Sequence, residues 1–181
     1  LAFSSNYALY ADLSNRVMSI LGTFSPRTEV YSIEECFVDF TGMPKLRETT
    51  YQMRERVLAY TGIPTCVGVG PTKTLAKLAN FIAKRHPRSK GVFNYNALNE
   101  DQKVHLLQRI PVEEVWGVGR KLTQRLEVHG IRTVLDLQKA HVPTLRAEFG
   151  VVMEKIQREL QEVPCIELQE IQPDRQQIIS S

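Results

Sequence analysis

No run of this 181-residue chain approaches the roughly 18 consecutive apolar residues that a membrane-spanning helix needs, so no membrane partner is assigned. A charged-then-apolar leader is absent too, and a cytoplasmic protein is expected. Cysteine is scarce and odd in number. Cys36, Cys66 and Cys165 lie far apart in apolar surroundings, which argues against a disulfide framework and for reduced, buried thiols in an intracellular protein. His86, His105, His129 and His141 lack metal-ligand spacing and read as surface residues. No internal repeat or low-complexity tract is visible. The most telling absence is local: Pro71 to Leu98 contains no Asp or Glu, while Lys73, Lys77, Lys84, Arg85, Arg88 and Lys90 supply six cations. A one-signed block of that size points to a polyanion partner, although the net charge is only +3.

What is present is average for a globular protein, with 43% hydrophobic and 24% charged residues, enough for one domain or a medium domain plus a small one. The chain opens on Leu1 rather than Met and is expected to be part of a longer protein. One stretch stands out, Val30-Tyr31-Ser32-Ile33-Glu34-Glu35-Cys36-Phe37-Val38-Asp39-Phe40. Its β-branched and aromatic flanks favour strands, and charges in such a setting normally have a partner. Two adjacent carboxylates repel each other unless a cation lies between them, and oxygen ligands suit Mg²⁺. A solvated hairpin tip is the other reading. On a continuous strand neighbouring side chains face opposite ways, so Glu34 and Glu35 could share an ion only at a tip or bulge.

Periodicity predicts a helix over 6–22, with Leu9, Leu13, Val17, Ile20 and Leu21 on one face. Strands are expected over 28–33 and 36–40, which places Glu34 and Glu35 at the hairpin tip. A helix over about 47–61 and a strand over 65–70 follow. Pro71-Thr72 then opens a helix to about Lys84, whose apolar face is Leu75, Leu78, Ala79, Ile82 and Ala83. The G-x-x-x-x-G-K-[ST] pattern is missing there, which excludes a phosphate loop despite the strand–Gly–helix order. A short strand, Gly91-Val92-Phe93, completes an α+β layer with an antiparallel hairpin at its centre. Beyond Asn94–Glu100 the pattern becomes short helices at 99–108, 112–115, 120–129, 133–139, 142–148 and 150–161. Ile166–Ser181 reads as a linker with some strand character.

Among those helices lies Val115-Trp116-Gly117-Val118-Gly119-Arg120-Lys121-Leu122, which has the helix-hairpin-helix pattern. Gly117 and Gly119 let backbone N–H groups approach a phosphate, and the next helix N-terminus adds a favourable dipole. Arg120, Lys121 and Arg125 reinforce the charge. Such contacts hold a nucleic-acid backbone without reading its sequence. A plain helix–turn–helix with a Gly cap is the alternative.

Four stretches in order, Ser5–Tyr10 with its helix, Tyr31–Phe40, Gly68–Lys84 and Val115–Leu137, resemble the translesion DNA polymerases of the Y family. The resemblance implies a partial palm over 1–98, a helical thumb over 99–165, and a linker over 166–181 toward a little-finger domain. It also implies that the family's first metal-binding Asp, the residue that excludes ribonucleotides and the fingers lie outside these residues, so that the chain by itself is inactive. Glu34 and Glu35 match the family's metal-binding carboxylates, with two Mg²⁺ ions expected in the complete enzyme. Glu34 stands where the family carries Asp, and a misplacement of about 1 Å can cost around a hundredfold in rate. Lys84 matches the lysine that reaches the incoming triphosphate. Lys73, Lys77 and Ser32 are placed at the DNA, Arg85, Arg88 and Lys90 in the general field, and Asp39 in a structural role. The implied partners are primer-template DNA and a deoxynucleoside triphosphate, with a regulatory subunit, a recombinase filament and a sliding clamp as family associates. A DNA-binding module without catalysis is the competing reading.

Overall fold

The computed structural model describes residues 6–169. Ser5 of the first matching stretch and residues 170–181 of the expected linker lie outside the described residues. Packing separates two units, one reaching Pro64 and joined by Leu168 and Gln169, the other Thr65–Glu167.

The first unit contains α1 (Tyr7–Gly22), β1 (Thr28–Val30), β2 (Cys36–Val38) and α2 (Leu46–Thr61). Asn6 caps α1, its side chain accepting from the Leu9 amide at 3.1 Å. The expected apolar face of α1 is only half-buried at Leu13, Val17, Ile20 and Leu21, and Leu9 is exposed. β1 and β2 pair antiparallel with Thr28 opposite Val38 and Val30 opposite Cys36. Both strands are shorter than expected. Past Val38, Asp39 is drawn into a turn, where its Oδ1 accepts from the Thr41 amide and its Oδ2 meets Arg27 at 2.9 Å. That is the structural role expected of Asp39. Gly62, at φ +72°, ends α2 in the left-handed region that favours glycine.

The second unit begins with β3 (Val67–Val69), α3 (Lys73–Arg85) and β4 (Val92–Asn94), and continues through α4 (Glu100–Leu107), α5 (Arg120–Val128), α6 (Val134–Lys139) and α7 (Val142–Leu160). β3 and β4 pair in parallel. Among the described residues the expected single layer is therefore two separate two-stranded sheets. α3 lies directly on the β3 backbone. A Cβ at Gly68 would meet the Asn80 backbone N at 2.0 Å, and one at Gly70 the Ala76 backbone N at 2.7 Å. All five residues expected on the apolar face of α3 are buried. They lead into a core that runs from Leu75 and Tyr95 through Leu107, Leu126 and Leu137 to Leu160. The sequence reading draws a domain limit at 98/99. The packing draws one at Pro64/Thr65 instead, because α3 shares its core with the later helices.

The expected helix over 112–115 is a single 3₁₀ turn, Val112–Glu114. Gly150, at φ +83° and ψ 177°, breaks α7 where two helices are expected. None of the three cysteines forms a disulfide, and all are half-buried rather than buried. The four histidines are exposed. Among the described residues no helix is long and apolar enough to cross a membrane.

Candidate functional site

The β1–β2 connection gathers Ser32, Glu34 and Glu35 in a tight, internally bonded tip. The Glu35 carbonyl accepts from the amides of Tyr31 and Ser32, at 3.0 and 3.1 Å. The Glu34 amide donates to Ser32 Oγ at 3.3 Å, so the hydroxyl shapes the tip. Ser14 Oγ on α1 donates to the Ile33 carbonyl at 2.6 Å and holds the tip from the helix side. Glu34 is exposed and Glu35 half-buried. Both lie between the paired strands, off the alternating pattern, as expected from their sequence. Glu29, the buried carboxylate of β1, is engaged elsewhere and accepts from the Gln169 amide at 2.8 Å.

The donor set at the tip consists of carboxylate oxygens, the hard ligands Mg²⁺ prefers. Among the described residues no group of three or more His, Cys, Asp or Glu side chains is placed to hold a metal. Two carboxylates nevertheless fit Mg²⁺, which commonly takes one or two from protein and the rest from phosphates and water.

The second unit carries the cations. Lys84 is exposed, and with Arg85 it forms the last turn of α3, where positive charge suits the helix dipole. Arg85 lies over Phe81 at 4.3 Å and pairs with Glu114 at 3.3 Å. Lys73 and Lys77 occupy the opposite end, at the first helical position and one turn further on. The Nζ atoms of both lie over the Trp116 ring, at 5.6 and 5.4 Å from its centroid. Trp116 belongs to the glycine-rich turn.

Why α3 is no phosphate loop is also clear. Its N-terminus already has a resident anion, the buried carboxylate of Glu159 on α7. Glu159 Oε2 accepts from the Thr74 amide and hydroxyl, and Oε1 accepts from the amides of Cys165 and Ile166. Thr72 Oγ1 accepts from the Leu75 amide.

α5 begins differently. Gly119 is its N-cap, no side chain caps it, and a Cβ on Gly119 would meet nothing within 4 Å. Gly117 has φ +85°, so the turn needs glycine there. Arg120 and Lys121 are exposed on the first turn of α5. Arg125 has internal partners: its guanidinium lies over Phe149 at 4.9 Å and donates to the Glu148 carbonyl. Sequence reasoning missed Glu159 and the part played by Trp116. The one available signal was that the chain's single Trp falls inside the glycine-rich turn.

The profile of the impB/mucB/samB family matches residues 1–80, and that of the DNA polymerase-iota thumb domain matches residues 113–156. The chain belongs to the impB/mucB/samB family. The Y-family resemblance drawn from the motifs is borne out. Protein UmuC of Salmonella typhimurium is 47% identical over 183 residues, covering 99% of this chain and 43% of that protein. Protein MucB of Escherichia coli is 43% identical over the same shares. DNA polymerase IV 2 of Halalkalibacterium halodurans is 33% identical across 78% of this chain and 35% of its own length. Among solved structures, the insertion ternary complex of Dbh DNA polymerase superposes with a TM-score of 0.68 at 25% identity, covering 86% of this chain and 44% of that one. The chain thus spans less than half the length of these impB/mucB/samB relatives.

Proposed function

We propose that these residues form the carboxylate hairpin, basic helix and thumb of an error-prone translesion DNA polymerase, which transfers a deoxynucleotide to a primer 3′-hydroxyl under template direction. The observation that carries the reading is the placement of Glu34 and Glu35 together at a bonded hairpin tip, inside the segment that the family match covers. Glu34 and Glu35 would hold Mg²⁺, and Ser32 shapes the tip that presents them to the primer end. When bound, Mg²⁺ offsets triphosphate charge and makes the primer hydroxyl easier to deprotonate. Lys84 meets the incoming triphosphate as a point charge. Lys73, Lys77, Gly117, Gly119, Arg120 and Lys121 hold the duplex backbone, with Arg125 bracing the thumb beside them. The full reaction belongs to a longer chain of the relatives' length, and these 181 residues alone bind duplex without extending primers.

Primer extension by that longer protein tests the reading. Glu35→Ala should abolish extension while duplex binding persists, and extension at the parental rate would remove the metal assignment. Glu34→Asp shortens the side chain that departs from the family pattern, so a faster rate would mark Glu34 as a handicap and a slower one as an adaptation.

A further inference from the structure

Two serines of α1 use their hydroxyls differently. Ser19 Oγ donates to the Asn15 carbonyl one turn back, the local bond that helical serines commonly make. Ser14 Oγ donates across 19 residues of chain to the Ile33 carbonyl, at 2.6 Å. Ile33 is the middle residue of the tip formed by residues 31–35. The bonds inside that tip, from the Tyr31 and Ser32 amides to the Glu35 carbonyl and from the Glu34 amide to Ser32 Oγ, fix its own shape. They do not fix where the tip stands over the helix. The strands that carry it are three residues each, and a two-stranded hairpin of that size has little stability of its own. The Ser14 bond ties the tip to a 16-residue helix.

We propose that Ser14 is a positioning residue for the metal-binding carboxylates, its hydroxyl holding the tip backbone where Glu34 and Glu35 meet Mg²⁺. The proposal rests on the metal reading above and adds to it a residue outside the carboxylate motif that sets where the motif stands. Mg²⁺ is strict about coordination geometry, and a working constellation must be held to within about 0.5 Å. A tip that keeps its shape but swings on a short hairpin misses that tolerance, so the tether matters more to metal affinity than to folding.

Amide hydrogen exchange without metal and primer extension over a range of Mg²⁺ concentrations, both on the longer protein, provide the test. Ser14→Ala should speed exchange of the Tyr31 and Ser32 amides roughly two- to tenfold, the range that one ordinary hydrogen bond accounts for. The same variant should raise the Mg²⁺ concentration for half-maximal extension by a similar factor, roughly two- to tenfold. Saturating Mg²⁺ should bring its rate back towards the parent's by mass action. Ser14→Thr keeps the hydroxyl and should stay near the parent in both measurements. Ser19→Ala loses only a local bond and should move neither. Parental exchange or a parental Mg²⁺ requirement in Ser14→Ala, with Glu35→Ala inactive, would overturn the inference and leave the metal reading standing. A loss that saturating Mg²⁺ does not restore, or equal shifts in Ser19→Ala, would mark general damage to α1 and overturn it too. If Glu35→Ala extended primers at the parental rate, the metal reading would fall and the inference with it.

Discussion

The carboxylate of Glu159 takes both the amide and the hydroxyl of Thr74, at 2.9 and 2.7 Å, across 85 residues of chain. Its other oxygen takes the amides of Cys165 and Ile166. A buried anion so fully bonded stabilises the fold, whereas the same group left unpaired would cost it dearly.

Glu159→Gln puts an NH₂ group where an oxygen faces two donors. It should lower the unfolding free energy by about 1–3 kcal/mol, the cost of stranding a buried donor. Urea denaturation followed by circular dichroism measures this, and an unchanged midpoint would show that the four bonds contribute nothing net.

Two glycines should respond in opposite ways. At Gly68 a methyl group would collide with the α3 backbone, so Gly68→Ala should destabilise by about 1–3 kcal/mol or more. Gly119 is extended (φ −90°, ψ 171°) with open space beside it. Gly119→Ala should leave the thermal midpoint in place and weaken duplex binding by crowding the phosphate. Parental binding by Gly119→Ala would count against the hairpin contact.

Thr41 holds the Asp39 carboxyl below its ordinary pKa of 3.8 by hydrogen bonds from its hydroxyl and amide, with Arg27 adding a smaller effect. A depressed folded pKa contributes stability that is whole above the unfolded value and is lost as pH falls through the folded one. The parent should therefore lose stability on acidification from about pH 5 to about pH 2 more steeply than Asp39→Asn. Parallel urea midpoints for the two proteins across that range would refute the assignment.

Burial, followed by the negative charge of Glu29, pushes the Cys36 thiol up to about 11. Only the thiolate is alkylated readily. Iodoacetamide should modify Cys36 slowly in mildly alkaline buffer, and Glu29→Gln should speed the reaction. The rate is read in a Cys66→Ser, Cys165→Ser background, and equal rates with and without the Glu29→Gln substitution would dismiss the electrostatic part.

The elements that could be read from the sequence are those whose signal is local. The apolar face of α3 repeats at helical spacing and is buried as expected. The two carboxylates interrupt a strand pattern, which places them at a tip. Asp39 is read as structural although it recurs in the carboxylate motif, and the contacts that fix it, the Thr41 amide and Arg27, appear only in the structure. The parallel pairing of β3 with β4 was not legible, since the register depends on residues 25 positions apart. Glu159 reads as one more solvated glutamate on an amphipathic helix, because the donors that bury it come from residues 74, 165 and 166. Trp116 lies about forty residues from the lysines it gathers, and periodicity within either segment says nothing about the other.

The Thr74–Glu159 bond also imposes a timetable on the newborn chain. At a synthesis rate of roughly 5–20 residues per second, the first turn of α3 leaves the ribosome roughly 4–17 s before Glu159 exists to meet it. During that interval the Thr74 donors are served by water, and the β3–α3 segment lacks most of the core it will share. The second unit therefore cannot close until its last helix is made, and until then its basic helix waits without part of its core.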